Sequence, residues 1–523
     1  MSDEAMIKAT HERLTQTFST QKTKSLRWRK QQLKQLYHLL DENEQPFIDA
    51  LASDLHRHPA ETLMMELGGI KADIIHALTN LETWAAGDKP DAGFLFGTLG
   101  GAHLRKEPLG ACFIIGAWNF PIYTLLAPFI AALGAGNCAA LKPSELAPAT
   151  ATLIDSLFPD YMDTSAIAVL TGGATETSNM LKLKWNHIFY TGGSSVGRII
   201  ATAAAKHLTP NVLELGGQSP VIVTSSADID LTAKRICAAK ITNSGQVCLN
   251  ANHIFAHPSV HDKLIERMIH WHKVFAADNS ESTFAHIISE KHFDRITNLL
   301  KSSSGEVVYG GNTDRSTKFI QPTIVKDIML DDSLLSEELF APIAPVVIAD
   351  TDRAIRTINS MPHPLGLYIF SRDQKEIDHI LDSTTSGGVT INDIAIHAAV
   401  PNAPFGGVGE SGYGSYHGKY GFDAFSHTRT VVAPPTWLDR VMSFRYPPFD
   451  VKKVEIMRPK PGKLIGKKGQ TIEEQMIRGK SSATSVIGKA LLVVALLAAL
   501  DGATGGRLLF VHTMRDVVNR FRA

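Results

Sequence analysis

Apolar and polar positions change rhythm along this chain. Near the N-terminus Leu33, Leu36, Tyr37 and Leu40 fall at i, i+3, i+4 and i+7, the spacing of one buried helix face. From residue 110 the rhythm shortens. Ala111–Ala117 is an apolar run of strand length, Tyr123–Leu133 has helical length, and Cys138–Leu141 returns to strand. Ile167–Leu170 and His187–Tyr190 predict two more strands. Gly192–Gly197 then opens a helix reaching about His207, and Leu213 and Pro220–Val223 predict strand again. Such alternation predicts an α/β fold built on a parallel, doubly wound sheet. Residues 231–400 repeat the alternation with different loops, which predicts a second α/β domain. No short-period repeat is present.

Composition narrows the class. The chain has 523 residues, enough for several domains. Hydrophobic residues make up 44% and charged residues 20%, which excludes a mostly disordered protein. Four cysteines, Cys112, Cys138, Cys237 and Cys248, are too few and scattered for a disulfide framework, and they lack the CxxC spacing of a zinc site. No metal is expected, and a reducing, cytoplasmic setting is. The polar start MSDEAMIKATHERL lacks the apolar core of a secretory signal. No apolar run reaches the ~18 residues of a spanning helix.

The net charge of zero is unevenly spread. Residues 451–523 carry 14 Lys and Arg against 5 Asp and Glu, a balance of +9, while the first 450 carry 38 against 47. A mildly acidic body therefore bears a basic tail, and that break is the clearest boundary in the chain. Within the tail, Ala490–Leu500 is an apolar stretch too short to span a bilayer. It fits an interfacial helix drawn to anionic lipid by neighbouring lysines, or a helix packed over the body or a neighbouring subunit. The Gly466-Lys467-Lys468-Gly469 loop resembles the GxxG clamp of KH domains, but the surrounding elements are not evident and nucleic acid is not expected.

Three sites carry candidate chemistry. Thr191-Gly192-Gly193-Ser194-Ser195-Val196-Gly197 falls where a strand should meet a helix, where backbone N–H groups can cradle a phosphate. Its G-x-x-x-x-G spacing departs from the G-x-G-x-x-G fingerprint, so a plain tight turn is equally open. Cys248 follows Asn243-Ser244-Gly245-Gln246-Val247. It reads as a nucleophile, or as a buried structural thiol like the other three cysteines. Glu214 lies between Leu213 and Leu215. A carboxyl at such a strand end is either a base of raised pKa or a surface group.

Together these residues carry a resemblance. The stretches EPLGACFIIGAWNFP (107–121), LKPSE (141–145), IFYTGGSSVGRIIATAAAKHLTPNVLELGGQSP (188–220), GQVC (245–248), EELFAP (337–342), PFGGVGESGYGSYHGKYGFDAFSHTR (404–429) and RYPPF (445–449) are similar to the NAD(P)-dependent aldehyde dehydrogenases. Within that family the chain resembles the class 3 and fatty-aldehyde branch, from about residue 10 to 450. The resemblance implies three parts. A Rossmann-type cofactor domain would take 1–85 and 108–215, a catalytic domain 216–412, and a bridging, dimer-forming β element 86–107 and 413–432. The remainder, 451–523, would be the tail.

The resemblance also assigns residues. It implies Cys248 as nucleophile toward the aldehyde carbon, Asn119 as oxyanion donor beside the Cys248 N–H, and Glu214 as the base that activates the hydrolytic water. It sets Trp118, Lys142, Glu145, the run Gly192, Gly193, Ser194, Ser195, Val196 and Gly197, Glu338 and Phe340 at the cofactor. A carboxylate at Glu145 favours NAD, and Lys142 leaves NADP possible. The implied reaction takes medium or long aliphatic, or aromatic, aldehydes to carboxylic acids. Glu214 argues against transfer of the acyl group to CoA, and the intact Cys248, Glu214 and Asn119 argue against a non-catalytic scaffold. Two positions depart from the family's usual residues: Gly193 stands where Ser is usual, and Ala341 where Gly is usual. Both fall at the cofactor.

Overall fold

The computed structural model describes residues 2–276 and 283–452, with 455 and 458. The loop 464–472 and the apolar run Ala490–Leu500 lie outside the described residues. Two compact units divide at Pro434 and Pro435. In the second, a short helix Leu438–Val441 leads to a turn in which Asp439 accepts from Arg445 (2.7 Å) and Tyr446 (2.6 Å). All that follows concerns the first unit.

The N-terminal region is helical. Leu26–Glu42 starts at Ser25, whose hydroxyl accepts from the Trp28 N–H, and it buries Leu33, Leu36 and Leu40 on one face. Two short segments that periodicity did not foresee, Thr62–Leu67 and Gly93–Leu99, are wound as π-helix. Among the described residues no helix is long and apolar enough to cross a membrane.

Two sheets organise the rest. The first has six strands in the order Gly412–Tyr413, Asn211–Leu215, His187–Gly192, Ala111–Ile115, Cys138–Lys142 and Ile167–Val169. All neighbours are parallel except the Gly412–Tyr413 edge. Ala111–Ile115 and Cys138–Lys142 are buried at every position, as strands covered on both faces must be. The apolar run ends two residues earlier than its composition implies. The Gly116 N–H turns to the Lys142 carbonyl (3.0 Å) and the Ala117 N–H to the Thr124 hydroxyl (2.9 Å). Chain order reverses between Ala111–Ile115 and His187–Gly192, and the carboxyl ends of these two strands bound a crevice of the kind that binds ligands in doubly wound folds.

The second sheet has seven strands, ordered Gly388–Ile391, Gly366–Phe370, Pro220–Val223, His253–Ala256, Ile343–Ile348, Thr323–Lys326 and Glu306–Tyr309. Only the last is antiparallel. Its side chains alternate between two cores. Val221 and Val223 join helices Ile229–Ile241 and His261–Phe275 on one face, while Ile222 joins Glu290–Ser302 and Thr351–Ser360 on the other. A separate two-stranded ribbon pairs His103–Pro108 with Ser426–Val431 in antiparallel register.

Candidate active site

The loops leaving the first sheet meet those of the second around one cavity of about 1150 Å³. It is lined by Trp118 and Asn119 after Ala111–Ile115, by Gly192, Gly193, Ser194 and Ser195 after His187–Gly192, and by Glu214 from Asn211–Leu215. Cys248, Glu338 and Phe340 reach it from the second sheet's side. Lys142, Glu145, Val196 and Gly197 do not line it. Lys142 is buried at its strand end and paired with the half-exposed Glu145. Val196 faces solvent, and Gly197 packs under Leu215, whose Cδ2 would lie 2.9 Å from a Cβ there.

Glu214 is not a surface group. It is 3% exposed, and among the described residues neither carboxyl oxygen has a hydrogen-bond partner. Burial alone holds its carboxyl well above the usual carboxylate range. Cys248 is the one cysteine with partial exposure; Cys112, Cys138 and Cys237 are buried. Its thiol is pushed up to about 12, first by burial and then by the nearby Glu338 and Glu214 carboxyls, while the Cys248 and Leu249 N–H groups pull the other way. Glu338 is pushed up to about 7 by burial, against the Gly217 N–H and Arg295.

The turn that delivers Cys248 is unusual. Asn243, Ser244 and Gly245 all take left-handed φ values of 48°, 53° and 73°. Strain of this kind persists only where surroundings over-determine the backbone. Here they do. Gln246 Nε2 donates to the Asn243 (3.0 Å) and His286 (2.9 Å) carbonyls, and Gln246 Oε1 accepts from the Ile288 N–H (3.0 Å). Asn250 Nδ2 donates to the Gly245 carbonyl (2.7 Å). Only glycine fits at 245, since a Cβ would run into the Ala341 carbonyl oxygen. Asn119, 5% exposed, donates from Nδ2 to the Gln246 carbonyl (3.1 Å) and so lies against the same turn.

Sequence reasoning missed the residues beneath this arrangement. Arg57 and Glu66 form a buried ion pair. Arg57 Nη2 donates to the Asn119 carbonyl and Nε to Asn243 Oδ1 (3.2 Å). The only signal in the sequence was a charged residue set in the apolar run Leu63-Met64-Met65-Glu66-Leu67.

The cofactor side fits a dinucleotide. Helix Ser194–His207 begins at Gly193 with no side-chain cap among the described residues, which suits its first N–H groups to a phosphate. Among the described residues nothing lies within 4 Å of a Cβ built on Gly193, which leaves room beside them. Trp118 stands edge-on to Phe340, ring centroids 5.4 Å apart. Phe340 itself takes the left-handed φ of 53°, whereas Ala341 is outside that region and fully buried. The extra methyl at 341 is thus packed without backbone strain. Elsewhere the wall is apolar at Met64, Met65, Val400 and Phe405, and polar side chains, among them Asp73, His76, Asn402 and His417, line it too. The Tyr123 hydroxyl donates to Asp73 (3.1 Å) and lies 3.4 Å from His417 Nε2, and burial lowers His417 to about 4.

Residues 1–431 match the model of the aldehyde dehydrogenase family. The chain is 40% identical over 451 residues to aldehyde dehydrogenase family 3 member H1 of Arabidopsis thaliana, covering 85% of this chain and 93% of that one. It is 38% identical to the dimeric, NADP-preferring aldehyde dehydrogenase of Rattus norvegicus, over 85% and 98% of the two chains. Among solved structures, the substrate-bound AldH of Staphylococcus aureus superposes with a TM-score of 0.79 at 35% identity, covering 84% of this chain and 99% of that one.

Proposed function

Because this chain belongs to the aldehyde dehydrogenase family, and so oxidises aldehydes to carboxylic acids with reduction of NAD or NADP, we propose that Cys248 is its nucleophile, Asn119 its oxyanion donor and Glu214 its general base. One observation carries this assignment. A carboxyl that is buried and, among the described residues, without a hydrogen-bond partner stands within electrostatic reach of Cys248, a half-buried cysteine on the wall of the same cavity.

Each residue then has a task set by its surroundings. The Cys248 sulfur adds to the aldehyde carbon and the carbonyl oxygen becomes an oxyanion. The Asn119 amide and the Cys248 N–H stabilise that charge, a contribution for which loss of one donor costs about 10²–10³ in rate. When bound, NAD(P)⁺ supplies the hydride acceptor and a positive charge that favours the thiolate. The resulting Cys248 thioester is attacked by water. Glu214 takes the water's proton, the C–S bond breaks, and the carboxylic acid leaves with the thiolate restored. A carboxyl of raised pKa is a stronger base than an ordinary one, which is what an unaided thioester hydrolysis needs.

Trp118, the Gly192–Gly197 segment, Glu338 and Phe340 are proposed to hold the dinucleotide, with the Lys142–Glu145 pair reaching its adenosine ribose from the neighbouring strand end. A relative described as NADP-preferring supports keeping both cofactors. That relative is also described as dimeric, and the ribbon of His103–Pro108 with Ser426–Val431 is the surface we assign to a homodimer. The apolar wall at Met64, Met65, Val400 and Phe405 supports medium or long aliphatic and aromatic aldehydes as substrates. The division into cofactor domain, catalytic domain and bridge belongs to the same proposal, as does a cytoplasmic enzyme whose basic tail touches anionic membrane.

The test is formation of reduced cofactor with hexanal, hexadecanal and benzaldehyde, NAD against NADP, with Cys248→Ala beside the parent. Activity in the parent and loss of more than about 10³-fold in the variant is expected. A folded Cys248→Ala protein that keeps its rate would sink the assignment.

A further inference from the structure

The two proposed oxyanion donors stand on different segments. Asn119 is on the loop leaving the first strand of the six-stranded sheet, and Cys248 follows the turn that leads into the seven-stranded one. Neither sheet fixes the distance between them. We propose that the buried Arg57–Glu66 pair, with Asn243, is a clamp that sets this distance and so positions the oxyanion site. The inference rests on the role of Asn119 given above.

The contacts run as a closed circuit. The guanidinium of Arg57, 1% exposed, meets three acceptors: Glu66 Oε1 through Nη1, the Asn119 carbonyl through Nη2, and Asn243 Oδ1 through Nε (3.2 Å). The second oxygen of Glu66 accepts from the Ile122 (2.8 Å) and Tyr123 (2.9 Å) N–H groups. One ion pair therefore grips residues 119 to 123 at both ends. Asn243 Nδ2 closes the circuit by donating to the Asn119 and Gln246 carbonyls, each at 3.0 Å. Phe120 packs its ring 4.9 Å from the guanidinium carbon.

Neither Arg57 nor Glu66 lines the cavity, so neither touches substrate. Nor is stability a sufficient reason for them. A buried ion pair is often no more stabilising than apolar residues of the same volume. Its distinctive property is direction. A planar guanidinium holds three acceptors at fixed angles, which a lysine ammonium on a flexible stem cannot reproduce. Oxyanion donors need placement within about 0.5 Å, and a misplacement of 1 Å can cost about 10²-fold. The clamp residues act on Asn119 and the Cys248 turn through the Asn119 and Gln246 carbonyls, the Ile122 and Tyr123 N–H groups and the Asn243 amide, and are positioning residues.

The experiment is a double-mutant cycle on the full chain with hexanal and NAD. Arg57→Lys keeps the charge and loses the fork. It is expected to lower kcat/KM by about 10- to 100-fold, with the Kd of NAD, read from protein fluorescence, within about twofold of the parent. Asn119→Ala is expected to lose about 10²–10³-fold by itself. In that background Arg57→Lys should cost less than about threefold, because one of the two donors whose spacing it sets is gone. Equal losses in both backgrounds, no loss at all, or NAD affinity falling together with rate would overturn the clamp. An Asn119→Ala variant of unchanged kcat/KM would instead overturn the role of Asn119, and the clamp with it. If Arg57→Lys does not fold, Asn243→Asp enters the same cycle with the same limits. It keeps a residue at home in left-handed φ but removes the amide that holds Asn119 and Gln246.

Discussion

Two edges of one cavity use glycine for opposite reasons. In the turn before Cys248, Gly245 is there because a Cβ would collide with the Ala341 carbonyl, and the neighbouring Asn243, Gln246 and Asn250 each anchor the backbone through side-chain amides. At the entrance of helix Ser194–His207, Gly193 has an ordinary extended backbone and empty space beside it. The first edge is over-determined and the second is permissive. A missing hydroxyl at 193 disturbs no packing, and the added methyl at 341 sits on a residue whose φ is ordinary because Phe340 has absorbed the left-handed turn. The reacting groups tolerate no such freedom, since proton transfer and oxyanion binding depend on fixed distances.

The comparison breaks first if the rigid edge can be changed cheaply. The largest effect is expected at Glu214. Glu214→Gln keeps the shape and removes the base, and should lower kcat by about 10²–10⁴-fold. The pH profile carries the sign. Below its raised pKa the Glu214 carboxyl is protonated and cannot accept a proton, so parental kcat should climb as pH rises through that value, and the variant should lose this limb. Stability should run the other way. The fold binds the Glu214 proton more tightly than the unfolded chain does, so the parent is penalised once pH exceeds the ordinary carboxylate value. Glu214→Gln should therefore unfold at higher urea than the parent at pH 8, with the gain gone at pH 4. A flat pH profile in the parent would mean that Glu214 is not the base.

Gly245→Ala comes next. It combines a left-handed φ with a backbone collision, and should cost roughly 2–4 kcal/mol in urea unfolding while kcat falls about 100-fold. A variant within 0.5 kcal/mol of the parent, about the spread of ordinary surface substitutions, would show that the turn is less constrained than its contacts imply.

Much of the sheet framework under the cavity could be read along the chain, because strands buried on both faces leave continuous apolar runs. Ala111–Ile115, Cys138–Lys142 and Pro220–Val223 were visible that way, and Glu214 stood out as a carboxyl inside one. The helix after His187–Gly192 was visible too, though it opens at Ser194, because Gly192 continues the strand and Gly193 stays extended. The clamp was not visible. Arg57 reaches its partners across 62 and 186 residues, and two of its three contacts are to a main-chain carbonyl and an amide oxygen, which leave no periodic trace. The π-wound Thr62–Leu67 hid Glu66 for the same reason: its bonding pattern matches no simple spacing. Lys142 and Glu145 show the converse, since their motif spacing was clear but does not reveal that they stand off the cavity wall.

The smallest effect belongs to the permissive edge and tests it directly. Gly193 is the N-cap of its helix, and a serine there could accept from a first-turn N–H, worth only a few tenths of a kcal/mol over glycine. The same hydroxyl could instead donate to a bound phosphate, worth about 0.5–1.5 kcal/mol net. Gly193→Ser should therefore leave kcat for hexanal unchanged and tighten NAD by about two- to tenfold, read by fluorescence titration. The open space at this position predicts no steric penalty. If NAD binding weakened tenfold or more, the entrance would be as constrained as the turn at Gly245. The absence of a side chain at 193 would then be a requirement of this chain's cofactor geometry, and the contrast between the two glycines would fail.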